Sequence, residues 1–246
     1  MDLTNKTILV VGGATGIGQA TAGVCTAHGA QVIIADYNES AGQQSATQAG
    51  RGTRFYPVNV ADENSVKSLF ARIAEQYGHL DVLIQTAGVL QGAFIPVAEF
   101  PLSTFQNVVD INATGSFLCA KYAVPLIKQA GGGVIILVSS VAATGVSSSV
   151  AYGTSKGSVT SLGVTLANKL ASESIRVNVV HPGGIKTPMK LSVIGREAEL
   201  RGQSGEQAMT EAAAGSELGE PEGVGKILAW LASDEADYVR GFLTTR

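Results

Sequence analysis

Thr7-Ile-Leu-Val-Val-Gly-Gly-Ala-Thr-Gly-Ile-Gly18 decides the fold. An apolar run from Thr7 to Val11 enters a turn with glycine at positions 12, 13, 16 and 18, and the chain then continues in residues suited to a helix. A strand that is apolar at nearly every position is one buried on both faces, as in a parallel sheet. Strand, glycine turn and helix in succession make a phosphate-binding unit. The glycines let the backbone approach a pyrophosphate, and the helix start offers free N–H groups and a positive dipole end. The spacing is G-x-x-x-G-x-G rather than G-x-G-x-x-G, so its weight comes from the strand before it and the helix after it.

Working outward, residues 31–35, 53–58, 81–86, 134–138 and 175–180 also read as short strands, separated by segments long enough for crossover helices. That alternation predicts an α/β fold with a doubly wound parallel sheet (Rossmann fold), a single domain over residues 1–246 with no linker. Ser103-x-x-Gln106 has the pattern of a capping box and predicts a helix over 103–129, bent at Pro125 and stopped by Gly131-Gly-Gly133. Glu220-Pro221 predicts a last helix with Val224, Ile227, Leu228 and Leu231 at helical spacing. Residues 189–218 are polar and follow a strand end, where open α/β sheets bind ligands, so they are expected to form mobile helices that act as a substrate lid.

A net charge of −3 from scattered acids and bases excludes a basic stripe for nucleic acid or an anionic membrane. Cys25 and Cys119 form no C-x-x-C, and no His/Asp/Glu cluster has metal-ligand spacing, so the site is expected to need no metal. The N-terminus lacks the pattern of a signal peptide and no apolar run approaches a membrane span; the expectation is a soluble, cytoplasmic protein.

The chemistry is carried by Tyr152-Gly-Thr-Ser-Lys156. On a helix this spacing puts phenol and ammonium on one face. A phenol titrating near ~10 needs a neighbouring cation to trade protons with an alcohol at neutral pH. That is the logic of a general acid/base pair. Asp36, at the end of the second predicted strand, is placed to accept the ribose hydroxyls of NAD, and no Arg or Lys stands at positions 13, 37 or 38 to favour a 2′-phosphate. His181, before Pro182-Gly183, reads as structural.

Together Gly12-x-x-x-Gly16-x-Gly18, Ala87-Gly88, Asn112, Ser140, Tyr152-x-x-x-Lys156 and Pro182-Gly183-x-x-x-Thr187 resemble a short-chain dehydrogenase/reductase over nearly the whole length. The resemblance implies Tyr152 as general acid/base and Lys156 as the residue that lowers its pKa and holds the nicotinamide ribose. It implies Ser140 as the group that steadies the substrate oxygen, and Asn112 as the anchor of a proton-relay water. The cofactor-binding set it implies is Gly12, Thr15, Gly16, Ile17, Gly18, Asp36, Asn59, Val60, Thr86, Ala87, Gly88, Tyr152, Lys156, Pro182, Gly183, Ile185 and Thr187, with Thr187 and the Ile185 backbone fixing the carboxamide.

The sequence departs from that family's pattern in several places. Val11 stands where threonine is common, Thr86 replaces an asparagine in Gln85-Thr86-Ala87-Gly88, and Asn59 replaces an aspartate, its side-chain carbonyl still able to accept the adenine amino proton. The usual distance between serine and tyrosine selects Ser139, whereas aligning the serine pair itself selects Ser140, the reading adopted. The C-terminus stops at Val239-Arg-Gly-Phe-Leu-Thr-Thr-Arg246, which predicts a curtailed last strand. The expected activity is NAD(H)-dependent interconversion of a secondary alcohol and a ketone, with a small-molecule substrate held by residues 90–96, 141–150 and the lid. A homo-oligomer, tetramer or dimer, is implied through the 103–129 and 152–171 helices. The rival reading is a non-catalytic NADH-binding sensor or scaffold.

Overall fold

The computed structural model describes residues 1–245. Seven parallel strands, β1 (Thr7–Val11), β2 (Gln31–Asp36), β3 (Arg54–Pro57), β4 (Val82–Gln85), β5 (Gly133–Val138), β6 (Ile175–His181) and β7 (Gly241–Thr244), form one sheet in the order β3-β2-β1-β4-β5-β6-β7. The order reverses between β1 and β4, and that crevice is where an open α/β sheet takes its ligand. The sequence limits fall within a residue or so of these strands.

Alternation along each strand feeds two cores. Leu9, Val11, Ile33, Leu83 and Ile135 face one side, Ile8, Val10, Ile34, Ile84 and Ile136 the other, all of them 0% exposed. The first core is covered by α3 (Glu63–Tyr77), α5 (Gly115–Gln129) and α6 (Val150–Leu170), and α4 (Leu102–Val109) packs on α6. The second lies under α1 (Gly16–Ala27) and α2 (Glu39–Ala49), together with α9 (Pro221–Ala232), which opens on Pro221 as expected. Two further helices, α7 (Pro188–Leu200) and α8 (Gly205–Ala214), occupy the predicted lid.

Two local expectations change. The helix predicted over 103–129 begins at Leu102 with Pro101 as its N-cap, so Ser103 forms no capping box; Pro101, lacking an N–H to leave orphaned, starts the turn instead. Between α4 and α5 the chain winds through a π segment at Asp110–Thr114, and Pro125 lies inside α5 without ending it. The last strand is short: β7, of four residues, pairs with β6 from Asn178↔Gly241 to His181↔Thr244. Arg246 lies outside the described residues. Among those residues no helix is long and apolar enough to cross a membrane, and no group of three or more His, Cys, Asp or Glu is placed to hold a metal ion.

Candidate active site

The glycine turn is built by close approach. A Cβ on Gly12, which has φ +83°, would lie 2.3 Å from Ala87 N, and one on Gly18 would lie 2.1 Å from Gly12 O. Only bare backbone fits, and it leaves a cradle over the start of α1, where the N-cap Thr15 makes no side-chain capping bond. Asp36 closes the cradle: its Oδ2 accepts from Ala14 N at 3.0 Å and its Oδ1 from Asn38 N at 2.9 Å. Thr86 compensates for the missing asparagine by donating its hydroxyl to Val11 O (2.7 Å) with Gly12 O at 3.1 Å, tying β4 to the turn. Asn59 already accepts from Ala61 N through Oδ1 at 3.1 Å, so one lone pair of that oxygen remains for a ligand.

At the opposite end, Ser149 caps α6, accepting from Tyr152 N and donating to Gln91 O at 2.6 Å. The cap fixes the first two turns of the helix, and with them Tyr152 and Lys156, whose Nζ stands 5.7 Å from the Tyr152 ring centroid. Lys156 is 4% exposed and donates to Val138 O at 2.8 Å; burial pulls its pKa down to about 8. The Tyr152 phenol is raised above its ordinary value by burial, opposed by its hydrogen bond with Ser140. The net direction is thus set by desolvation, which penalises the phenolate and the ammonium alike.

The two serines make different contacts. Ser139 Oγ donates to Lys156 O at 2.8 Å and meets Thr160 Oγ1, which in turn meets His181 Nε2 at 3.0 Å. Ser140 caps the 3₁₀ turn at Val141–Ala143, accepting from Ala142 N, and faces Tyr152. His181 is stacked on Phe242 and 2% exposed, in keeping with a structural role.

Asn112 sits in the π segment and is fully buried. Its Oδ1 accepts from Val89 N at 2.7 Å, and its Nδ2 donates to Val89 O and Ser155 Oγ, both at 2.9 Å. It therefore fastens the loop after β4 to the helix carrying Tyr152, and makes no direct bond to Lys156.

These parts open on one cavity of about 810 Å³. Of the site residues expected from the sequence, Gly12, Thr15, Gly16, Ile17, Gly18, Asp36, Asn59, Val60, Thr86, Ala87, Gly88, Ser140, Tyr152, Lys156, Pro182, Gly183, Ile185 and Thr187 all line it, while Asn112 lies behind its wall. Met189, Lys190, Val193 and Glu197 line it from the segment expected to form the lid, while Val89 and Ile111, which sequence reasoning passed over, line it as well. On α7 the spacing of 190, 193 and 197 marks one helical face.

A family model described as enoyl-(acyl carrier protein) reductase matches residues 12–244. An uncharacterized oxidoreductase of Bacillus subtilis, YxbG, is 35% identical over 97% of this chain and 88% of its own length. A 2,5-dichloro-2,5-cyclohexadiene-1,4-diol dehydrogenase of Sphingobium indicum is 34% identical (98% and 94% covered), and a cis-4-hydroxycyclohexanecarboxylate dehydrogenase of Sinomonas cyclohexanicum is 36% identical (96% and 92%). The crystal structure of levodione reductase superposes with a TM-score of 0.89 at 26% identity, covering 98% of this chain and 96% of that one. With the glycine cradle, the serine, tyrosine and lysine in one cavity and these likenesses running end to end, the chain belongs to the short-chain dehydrogenase/reductase family of oxidoreductases.

Proposed function

We propose that this protein is an NAD(H)-dependent oxidoreductase that interconverts an alicyclic secondary alcohol and its ketone. The observation that carries the reading is a single cavity with the glycine cradle and Asp36 at one end and Ser140, Tyr152 and Lys156 at the other. The cradle that a Cβ would fill at Gly12 and Gly18 fits a dinucleotide diphosphate. Asp36 supports NAD over NADP, since its carboxylate repels a 2′-phosphate, and beside it Tyr37 is 80% exposed and uncharged. When bound, the nicotinamide ring supplies the hydride acceptor or donor.

The chain's own residues then divide the remaining work. Tyr152 takes the hydroxyl proton in oxidation and returns it in reduction, Ser140 holds the substrate oxygen where charge develops, and Lys156 supplies a proton-bearing group behind the phenol. Asn112 holds the wall rigid through Val89 and Ser155. Val89, Leu90, Phe94, Val141, Val146, Met189 and Val193 make the reacting end apolar, and among the described residues no arginine lines it. That suits a compact ring better than a sugar acid, and the cyclic alcohols named for the Sphingobium and Sinomonas relatives support the same class. The two buried, unpaired cysteines suit a reducing cytoplasm.

The test is NADH oxidation, followed at the nicotinamide absorbance, with cyclohexanone and substituted cyclohexanones, NADPH in parallel. Turnover that favours NADH is expected. Tyr152→Phe should lower kcat by roughly 10²-fold or more while NADH affinity stays within a few-fold. Turnover retained by that variant removes the mechanism; tight NADH binding without turnover on any ketone would favour a sensor.

A further inference from the structure

Four charged side chains line the cavity: Asp36, Lys156, Lys190 and Glu197. Asp36 accepts two backbone N–H groups, Lys156 donates to Val138 O, and Glu197 is paired with Arg201. Lys190 is different. Half-buried, its ammonium has no ion pair or hydrogen bond among the described residues.

Its placement sharpens the point. Lys190 lies in the first turn of α7, where its backbone N donates to the N-cap Thr187 Oγ1 and where no acidic side chain stands. A cation there opposes the helix dipole. The start of α7 also abuts the glycine turn, since a Cβ on Gly16 would lie 3.1 Å from Thr187 Cγ2. A lysine held against a positive helix end, unpaired, on the wall of a cavity and one turn from the phosphate cradle is placed for an anion that arrives with a ligand.

Resting on the dinucleotide reading above, we propose that Lys190 binds the diphosphate of the cofactor from the α7 side and so holds α7 down over the cavity. A substrate carboxylate is the competing anion. The proximity of Thr187, three residues before Lys190, to Gly16 favours the diphosphate, and Glu197, farther along the same face of α7, makes the outer part of that wall unwelcoming to a second anion.

The experiment titrates NADH by its fluorescence, and ADP-ribose and cyclohexanecarboxylate by calorimetry, against the wild type, Lys190→Gln and Lys190→Arg at low and high salt, with thermal unfolding to verify the fold of each variant. Lys190→Gln is expected to bind NADH and ADP-ribose about 10-fold more weakly or worse, as for a lost hydrogen bond to a charged group. Lys190→Arg should stay within about 3-fold of the wild type, and the gap should narrow as salt screens the pair. Equal ADP-ribose affinity in wild type and Lys190→Gln overturns the assignment, as does a loss confined to cyclohexanecarboxylate. No binding of NADH to the wild type would overturn the dinucleotide reading itself, a failure distinct from the other two.

Discussion

Lys156 is held in an environment that disfavours its own charge. Its pKa of about 8 against 10.5 for a free lysine means that between those values the unfolded chain binds more protons than the folded one. Stability from this group therefore rises as pH climbs through that window, and its penalty is complete below pH 8, on the order of 3 kcal/mol as an upper bound. Lys156→Met is expected to melt higher than the wild type at pH 7, with the gap closing toward pH 10, and to lose turnover. Thermal unfolding across pH checks it; a variant that melts lower at pH 7 would sink the idea. The identity of this residue was legible because Tyr-x-x-x-Lys has a chemical reason for its spacing. The sign of the phenol's shift was not, because it depends on how much water reaches the pair. Lys190 was illegible for another reason: a single lysine in a polar helix looks like any solvated one until its missing partner and its cavity are seen.

At the scale of elements, α6 carries the reacting side chains and must seat firmly on the sheet. Gly163 permits this, since a Cβ there would lie 2.1 Å from Val179 Cγ2 on β6 and 3.5 Å from Leu137 Cδ1 on β5. Gly163→Ala should lift the helix, costing about 1–3 kcal/mol in urea unfolding. It should also depress kcat by displacing Tyr152 and Lys156 from Ser140, and wild-type stability together with a wild-type rate would show that the seat is not tight. The strands were readable to within a residue or so because apolar β-branched runs and glycine turns mark them locally. The π segment at Asp110–Thr114 was not readable. One additional residue in a turn leaves the 3.6-residue pattern of a long helix nearly intact, yet it accompanies the turning of Asn112 inward to Val89 and Ser155.

For the whole molecule, alternation of strands with helices specified the doubly wound sheet, and the last strand pairs along the free edge that β6 offers. On the outer surface Phe117 of α5 is 46% exposed and Val164 of α6 is 43% exposed. The resemblance implies a homo-oligomer that buries these helices, and Phe117→Lys with Val164→Lys is then expected to sediment as monomer; a monomeric wild type would dispose of it. The loop over the reacting end has a further property. Phe94 N donates to Ser148 O, Gln91 O accepts from Ser149, and Val89 is clasped through its N–H and carbonyl by Asn112. The loop is fastened by its main chain, so the side chains of Leu90 and Phe94 are not themselves part of the fastening. Mutation can therefore exchange them while the loop keeps its shape, and the scaffold is open to inheriting a new substrate without rebuilding its catalytic frame.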